Sequence, residues 1–191
     1  MHSTDISPEP AALLVEYADL FVTSLPPGPA SPVLDLACGD GRNGIFLALK
    51  GLSVICCDRS QESIEAALAL AAKNGTTITP WLVDLELPAQ KPLPPDTYGG
   101  ILVFRYLYRP LIPSIRRALR GSGILVYETF TVEQRRYGKP QNPDFLLRPG
   151  ELHDWFGDWQ VIHYFEGIME SPPRAIAQIV CRKPPRDLVP E

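Results

Sequence analysis

The sequence predicts an α/β fold, a doubly wound, mostly parallel seven-stranded sheet that ends in an antiparallel C-terminal hairpin. Three observations carry that expectation. Short apolar runs alternate with segments of helical period between Pro32 and Leu119. A glycine-rich turn, Gly39-Asp40-Gly41, separates the first run from the helix that follows it. Near the end, two long strand-like runs, 159–170 and 174–183, are joined only by Ser171-Pro172-Pro173. Alternating strands and helices imply a parallel sheet covered on both faces, whereas so short a link implies an antiparallel pair.

The elements follow in order. Leu13, Leu14, Tyr17, Leu20 and Phe21 lie at helical spacing, so a helix is expected over about 10–24, ended by Pro26-Pro27-Gly28-Pro29. Residues 32–38 read as a short buried strand, and helical spacing resumes over 42–50. A second strand covers 53–58. Ser60 then caps a helix over 61–73, because its hydroxyl can take a free amide of the first turn, and Asn74-Gly75 stops it. A third strand, 76–83, is closed by Asp84 and followed by the proline-rich stretch 88–95. The fourth strand spans 98–106, a helix spans 111–119 with Gly121 as its stop, and the fifth strand spans 124–130. Residues 131–147 show no period, and a short helix is expected over 151–156.

Composition bounds the function. The 191 residues suit one domain, 1–191, with a first half at about 32–86 and a second at about 98–183. No apolar run approaches the roughly 20 residues of a membrane span, and the polar start lacks the basic and apolar segments of a secretory signal. A cytoplasmic protein without a membrane partner is the expectation. A net charge of −4 argues against a broad nucleic-acid surface. Cys38, Cys56, Cys57 and Cys181 form no CxxC pair and fall in strand-like runs, so they read as reduced, buried thiols. His2, His153 and His163 are scattered, and no metal-ligand spacing occurs.

Ligands of such sheets bind at the carboxyl ends of the strands. The first of those ends carries Gly39-Asp40-Gly41-Arg42-Asn43-Gly44, a GxGxxG. Its glycines allow close approach of backbone to ligand, and Asp58 follows at the end of the next strand, where a carboxylate can accept from both hydroxyls of a ribose. An adenosine-type ligand follows from this, and the motif alone leaves a dinucleotide open. Asp35 and Asp40 would be unwelcome beside a pyrophosphate at a helix N-terminus. They suit a cationic ligand, although Asp35 could instead satisfy backbone amides of the turn.

Val33-Leu34-Asp35-Leu36-Ala37-Cys38-Gly39-Asp40-Gly41 resembles the first motif of class I S-adenosylmethionine-dependent methyltransferases, whose acid four positions before the first glycine is matched by Asp35. Asp58 matches the ribose-binding acid of the second motif, Val83-Asp84-Leu85 the third, and residues 99–105 the fourth. Phe104-Arg105-Tyr106-Leu107-Tyr108-Arg109-Pro110-Leu111 and Tyr127-Glu128-Thr129-Phe130 resemble a bacterial group classed with tellurite-resistance methyltransferases. The resemblance implies a Rossmann-like fold and S-adenosylmethionine as cofactor. It implies cofactor contacts from Asp35, Ala37, Cys38, Gly39, Gly41 and Asn43 in the turn. Further contacts would come from Asp58 and Arg59, from Asp84 and Leu85 at the adenine, and from Phe104.

On the acceptor side, Arg105, Tyr106 and Glu128 stand at the ends of the fourth and fifth strands as candidate catalytic groups. Tyr108, Arg135, Arg136 and Tyr137 are candidate acceptor contacts, the last three on a segment expected to close over the site. Arg135, Arg136 and Lys139 of that segment, with Arg105 and Arg109 from the same edge, make a local basic rim, which suits a small anionic or electron-rich acceptor. Two other readings stay open, a nicotinamide-dependent oxidoreductase and a non-catalytic cofactor-binding partner protein.

Overall fold

A computed structural model of the chain describes residues 9–25, 30–87 and 93–185. Seven strands form one sheet in the order β3-β2-β1-β4-β5-β7-β6. They are β1 (Val33–Leu36), β2 (Val54–Asp58), β3 (Thr79–Leu82), β4 (Tyr98–Phe104), β5 (Leu119–Phe130), β6 (Gln160–Glu170) and β7 (Pro173–Arg182). The first five run parallel, and β7 lies antiparallel to both β5 and β6.

Helices α1 (Ala12–Ser24), α2 (Arg42–Leu49) and α3 (Gln61–Lys73) contribute to the apolar layer on one face, and α4 (Ile112–Ala118) and α5 (Glu151–Phe156) to that on the other. Strand alternation sorts side chains between the two layers. Val33 joins the α1–α3 layer, while Leu34 and Leu36 join the α4–α5 layer. Helix α1 lies close over β4 because Gly100 has no side chain: a Cβ there would stand 2.5 Å from the Phe21 ring. The start of α1 is tied to α2, since the Ala11 amide donates to Asn43 Oδ1 at 2.8 Å.

Several expectations are met residue for residue. Ser60 caps α3, its Oγ accepting from the Ser63 amide, and α5 spans Glu151–Phe156. Others need correction. Gly121 does not stop a helix. Helix α4 ends at Ala118 and the chain enters β5 at Leu119 without a loop, so Gly121 lies inside the strand. Strand β3 is four residues long and mostly exposed, as an edge strand allows. Cys38 sits in the turn beyond β1 rather than in a strand. Residues 131–147 are not irregular: they contain two 3₁₀ turns, Val132–Arg136 and Pro143–Phe145. The N-terminal residues 1–8, the proline stop at 26–29, the stretch 88–92 and the tail from 186 lie outside the described residues. Among the described residues no helix is long and apolar enough to cross a membrane.

Candidate functional site

The site begins in the turn after β1. Ala37, Gly39 and Gly41 all have left-handed backbones, with φ of 53, 56 and 76°. This folds the turn back against β2, so that the Cys38 amide donates to the Cys57 carbonyl at 2.9 Å and the Gly39 amide to Asp58 Oδ2 at 3.0 Å. Asp58 Oδ1 accepts from the Ser60 amide at 2.9 Å. The carboxylate is thus held from both sides by backbone while it borders the open cleft. Gly41 is needed twice, once for its φ and once because a Cβ would stand 2.7 Å from that of Ala67.

Asp35 lies beneath this turn. It is 2% exposed, and its Oδ2 accepts from the Gly44 amide in the first turn of α2 at 2.8 Å. Burial pushes its carboxyl up to about 7, against the pull of the Gly44 amide. Strand parity explains the position, since Val33 and Asp35 share the face covered by α2. Asn43 is spent on α1, and Cys38 is buried. Burial raises the Cys57 thiol, and contact with Cys38 followed by burial raises Cys56, so both stay protonated and chemically quiet.

A cleft of about 710 Å³ opens at the carboxyl ends of β1 to β5. Its floor is Leu36 and Cys57. Ala37, Asp58, Arg59, Asp84 and Leu85, all singled out from the sequence, line the first half, joined there by Val83 and Glu86. Glu86 was not singled out. Its amide donates to Asp84 Oδ1 at 3.0 Å, its carboxylate lies 3.9 Å from the Arg59 guanidinium, and it accepts from the Tyr106 hydroxyl. The second half is lined by Arg105, Tyr106, Leu107 and Phe130. Residues 131–147 complete it through Lys139, expected in the basic rim, and through Pro140, Gln141, Asn142 and Phe145, which were not singled out.

Other expected residues stand outside the cleft lining. Gly39, Gly41 and Cys38 shape the turn behind it, and Phe104 packs into the α1–α3 layer. Glu128 is 7% exposed, accepting from Gln178 Nε2 at 2.6 Å. The Tyr108 hydroxyl donates to the Glu86 carbonyl at 3.2 Å. Arg135, Arg136 and Tyr137 are exposed, and Arg136 pairs with Glu133 at 2.7 Å. Arg109 is committed to Glu151, with Nε–Oε1 at 2.7 Å.

Tyr106 sits where the two halves of the cleft meet. Burial, then the neighbouring Glu86 carboxylate, raises its phenol well above its ordinary value. Its own carbonyl accepts from the Tyr127 hydroxyl at 3.0 Å, which fixes the backbone just past β4. Among the described residues no cluster of three metal-ligating side chains exists.

This strand order and hairpin are those of the class I methyltransferase fold. The chain belongs to the family of the tellurite resistance protein TehB, whose family model matches residues 22–172. It is 28% identical over 143 residues to the "Probable S-adenosyl-L-methionine-dependent methyltransferase TehB" of Haemophilus influenzae, covering 72% of this chain and 49% of the relative. It is 26% identical over 144 residues to "Hemagglutinin 1" of Eikenella corrodens, covering 71% of this chain and 46% of that one. The chain therefore spans about half the length of the curated relatives it matches. Among solved structures, TehB from Haemophilus influenzae superposes with a TM-score of 0.68 at 23% identity, over 95% of this chain and 63% of that one. An S-adenosylmethionine-dependent methyltransferase from Mesorhizobium loti gives 0.61 at 17% identity, over 88% and 97%. These two likenesses speak for the fold.

Proposed function

We propose that this chain is an S-adenosylmethionine-dependent methyltransferase acting on a small anionic or electron-rich acceptor. The observation that carries the reading is Asp58, an acid oriented by two backbone amides at the rim of a cleft that the glycine-rich turn borders. Its remaining lone pairs suit the two hydroxyls of a ribose. Asp84 and Leu85, at the end of β3, suit the amino edge and the face of an adenine, and Ala37 and Arg59 border the same half. The cofactor would supply a methyl group already attached to a good leaving group, so what remains for the protein is proximity and orientation.

The residues of the second half do that work. Tyr106, kept neutral by burial and by the Glu86 carboxylate that accepts from its hydroxyl, lines the site and is not a base. Glu86 orients it. Leu107 and Phe130 exclude water from the transfer point. Arg105 and Lys139 supply positive charge at the acceptor end. Glu128 acts at one remove, through the Arg105 amide that its carbonyl accepts at 2.8 Å. On this reading the protein works in the cytoplasm as one domain. Calorimetry with S-adenosylmethionine and with NAD separates it from an oxidoreductase, and release of S-adenosylhomocysteine separates it from a non-catalytic binding protein. Affinity for NAD in place of S-adenosylmethionine would overturn it.

A further inference from the structure

The acceptor half of the cleft has a composition that narrows its ligand. Leu107, Phe130, Pro140 and Phe145 give it an apolar wall, and Tyr106 lines it beside them. Phe145 is 50% exposed, yet its backbone is not loose. The Arg109 guanidinium donates to the carbonyls on both sides of it, Asp144 at 3.0 Å and Leu146 at 2.8 Å, and to both oxygens of Glu151. Gln141 is fixed as well, its Nε2 donating to the carbonyls of Arg135 and Gly138. The wall is therefore held by the chain's own hydrogen bonds.

Charge at this end is also distinctive. Arg59, Arg109, Arg116 and Arg136 each have a carboxylate partner. Arg105 and Lys139 line the cleft, and among the described residues neither is paired with a carboxylate. Arg105 is presented by a left-handed backbone, φ 55°, that its amide bond to the Glu128 carbonyl holds in place. A bare inorganic oxyanion is best held by several converging donors close around it. Two cations beside a fixed aromatic wall match a different ligand. Sites for organic molecules combine an apolar lining with a few placed polar groups, in volumes of roughly 300–1,000 Å³, and this cleft has about 710 Å³.

We infer that the acceptor is an organic molecule with a flat apolar body and an anionic group, its body against Phe145, Phe130 and Leu107 and its charge toward Arg105 and Lys139. The inference rests on the methyltransferase reading. In the transfer, a lone pair of the acceptor forms the new bond to the methyl carbon while the carbon–sulfur bond breaks and its electrons return to sulfur. A thiolate acceptor becomes a thioether and leaves no proton to place.

The experiment is a titration of the protein saturated with S-adenosylhomocysteine. Four probes are compared: 4-(methylthio)benzoate, which carries ring and charge; 4-(methylthio)benzamide, which lacks the charge; (methylthio)acetate, which lacks the ring; and potassium tellurite, which lacks the organic body. The benzoate should bind at least about tenfold more tightly than each of the others. Phe145→Ala should weaken the two ring-bearing probes and leave (methylthio)acetate as it was. Arg105→Gln should remove the difference between benzoate and benzamide. A separate titration of each ligand-free variant with S-adenosylhomocysteine reports whether it still folds. Tellurite or (methylthio)acetate binding as tightly as the benzoate, or no binding of the benzoate to the S-adenosylhomocysteine complex, overturns the inference. Failure to bind S-adenosylhomocysteine at all overturns the methyltransferase reading itself.

Discussion

The amide of Gly39 donates to the carboxylate of Asp58 across 3.0 Å, joining the turn after β1 to the end of β2. One residue therefore shapes the turn and faces the ligand. Asp58→Ala should lose both ribose hydrogen bonds, each worth about 1.5–3 kcal/mol when the partner is charged, and cofactor affinity should fall by roughly tenfold or more for each. Calorimetry with S-adenosylmethionine checks this, and circular dichroism establishes that the sheet survives. Unchanged affinity in a folded variant removes Asp58 from the site.

The two glycines of the turn should respond differently to substitution. A Cβ on Gly39 would meet no atom within 4 Å, so only its φ of 56° resists a side chain. Gly39→Ala should cost about 1–2 kcal/mol of stability, and Gly39→Val should abolish cofactor binding in a domain that still folds. Gly41→Ala adds a clash with Ala67 and should destabilise by a further 1–3 kcal/mol or so. Thermal melts alongside calorimetry separate the two. A Gly39→Val protein that binds normally would mean that this turn serves the fold alone.

Asp35 makes stability depend on pH with a definite sign. Its folded-state carboxyl, pushed by burial from an ordinary 3.8 to about 7, keeps a proton that the unfolded chain has lost across that window. The stability it contributes is present at low pH and disappears as pH rises toward 7, by roughly 4 kcal/mol at about 1.4 kcal/mol per pH unit. Asp35→Asn does not titrate and still offers an acceptor to the Gly44 amide. The variant should melt several degrees above the parent at pH 8, and the gap should close toward pH 4. A gap that stays constant with pH means that Asp35 is ionised in the fold throughout.

What could be read from the sequence was local. The Ser60 cap and the glycine-rich turn act within a few residues of themselves, and α3 and α5 lie where their own patterns place them. The Leu119 junction was not legible, because a helix passing straight into a strand leaves no turn residue to mark it, and Gly121 gives a false stop. Asp35 was half legible: period-2 alternation puts it on the Val33 face, under α2, which points toward the turn's amides more than toward the ligand. Glu86 and Phe145 carried no signal, and Lys139 was legible only as one cation of the basic rim. They reach the cleft only because β3, β4 and residues 131–147 converge there, and that convergence is a tertiary fact. Arg135, Arg136 and Lys139 read alike in the sequence as cations of that segment, and among the described residues Lys139 lines the cleft whereas the two arginines do not.

Arg109 supports the acceptor wall through a fork that lysine cannot imitate. Its Nε and one terminal nitrogen grip both oxygens of Glu151 at 2.7 Å, and the remaining bonds hold the backbone on either side of Phe145. Glu151 in turn accepts from the Arg148 amide, so the end of the segment is fastened to the start of α5. The Glu151 carboxyl lies below its ordinary value: burial pulls it up, and the bonds from Arg109 and the Arg148 amide outweigh that pull. A lysine keeps the charge but offers one nitrogen, which cannot bridge a carboxylate and two carbonyls at once. Arg109→Lys should therefore lose about 1–3 kcal/mol of stability and raise amide exchange at residues 145–147. Cofactor affinity should hold, because among the described residues the hydrogen bonds of Arg109 and Glu151 run to Asp144, Leu146 and Arg148 and not to the first half of the cleft. Hydrogen exchange followed by mass spectrometry, beside calorimetry with S-adenosylhomocysteine, reads both. Protection at 145–147 equal to that of the parent would show that the base of the segment, where the Leu147 amide donates to the Phe130 carbonyl at 2.9 Å, is sufficient to hold Phe145 in place.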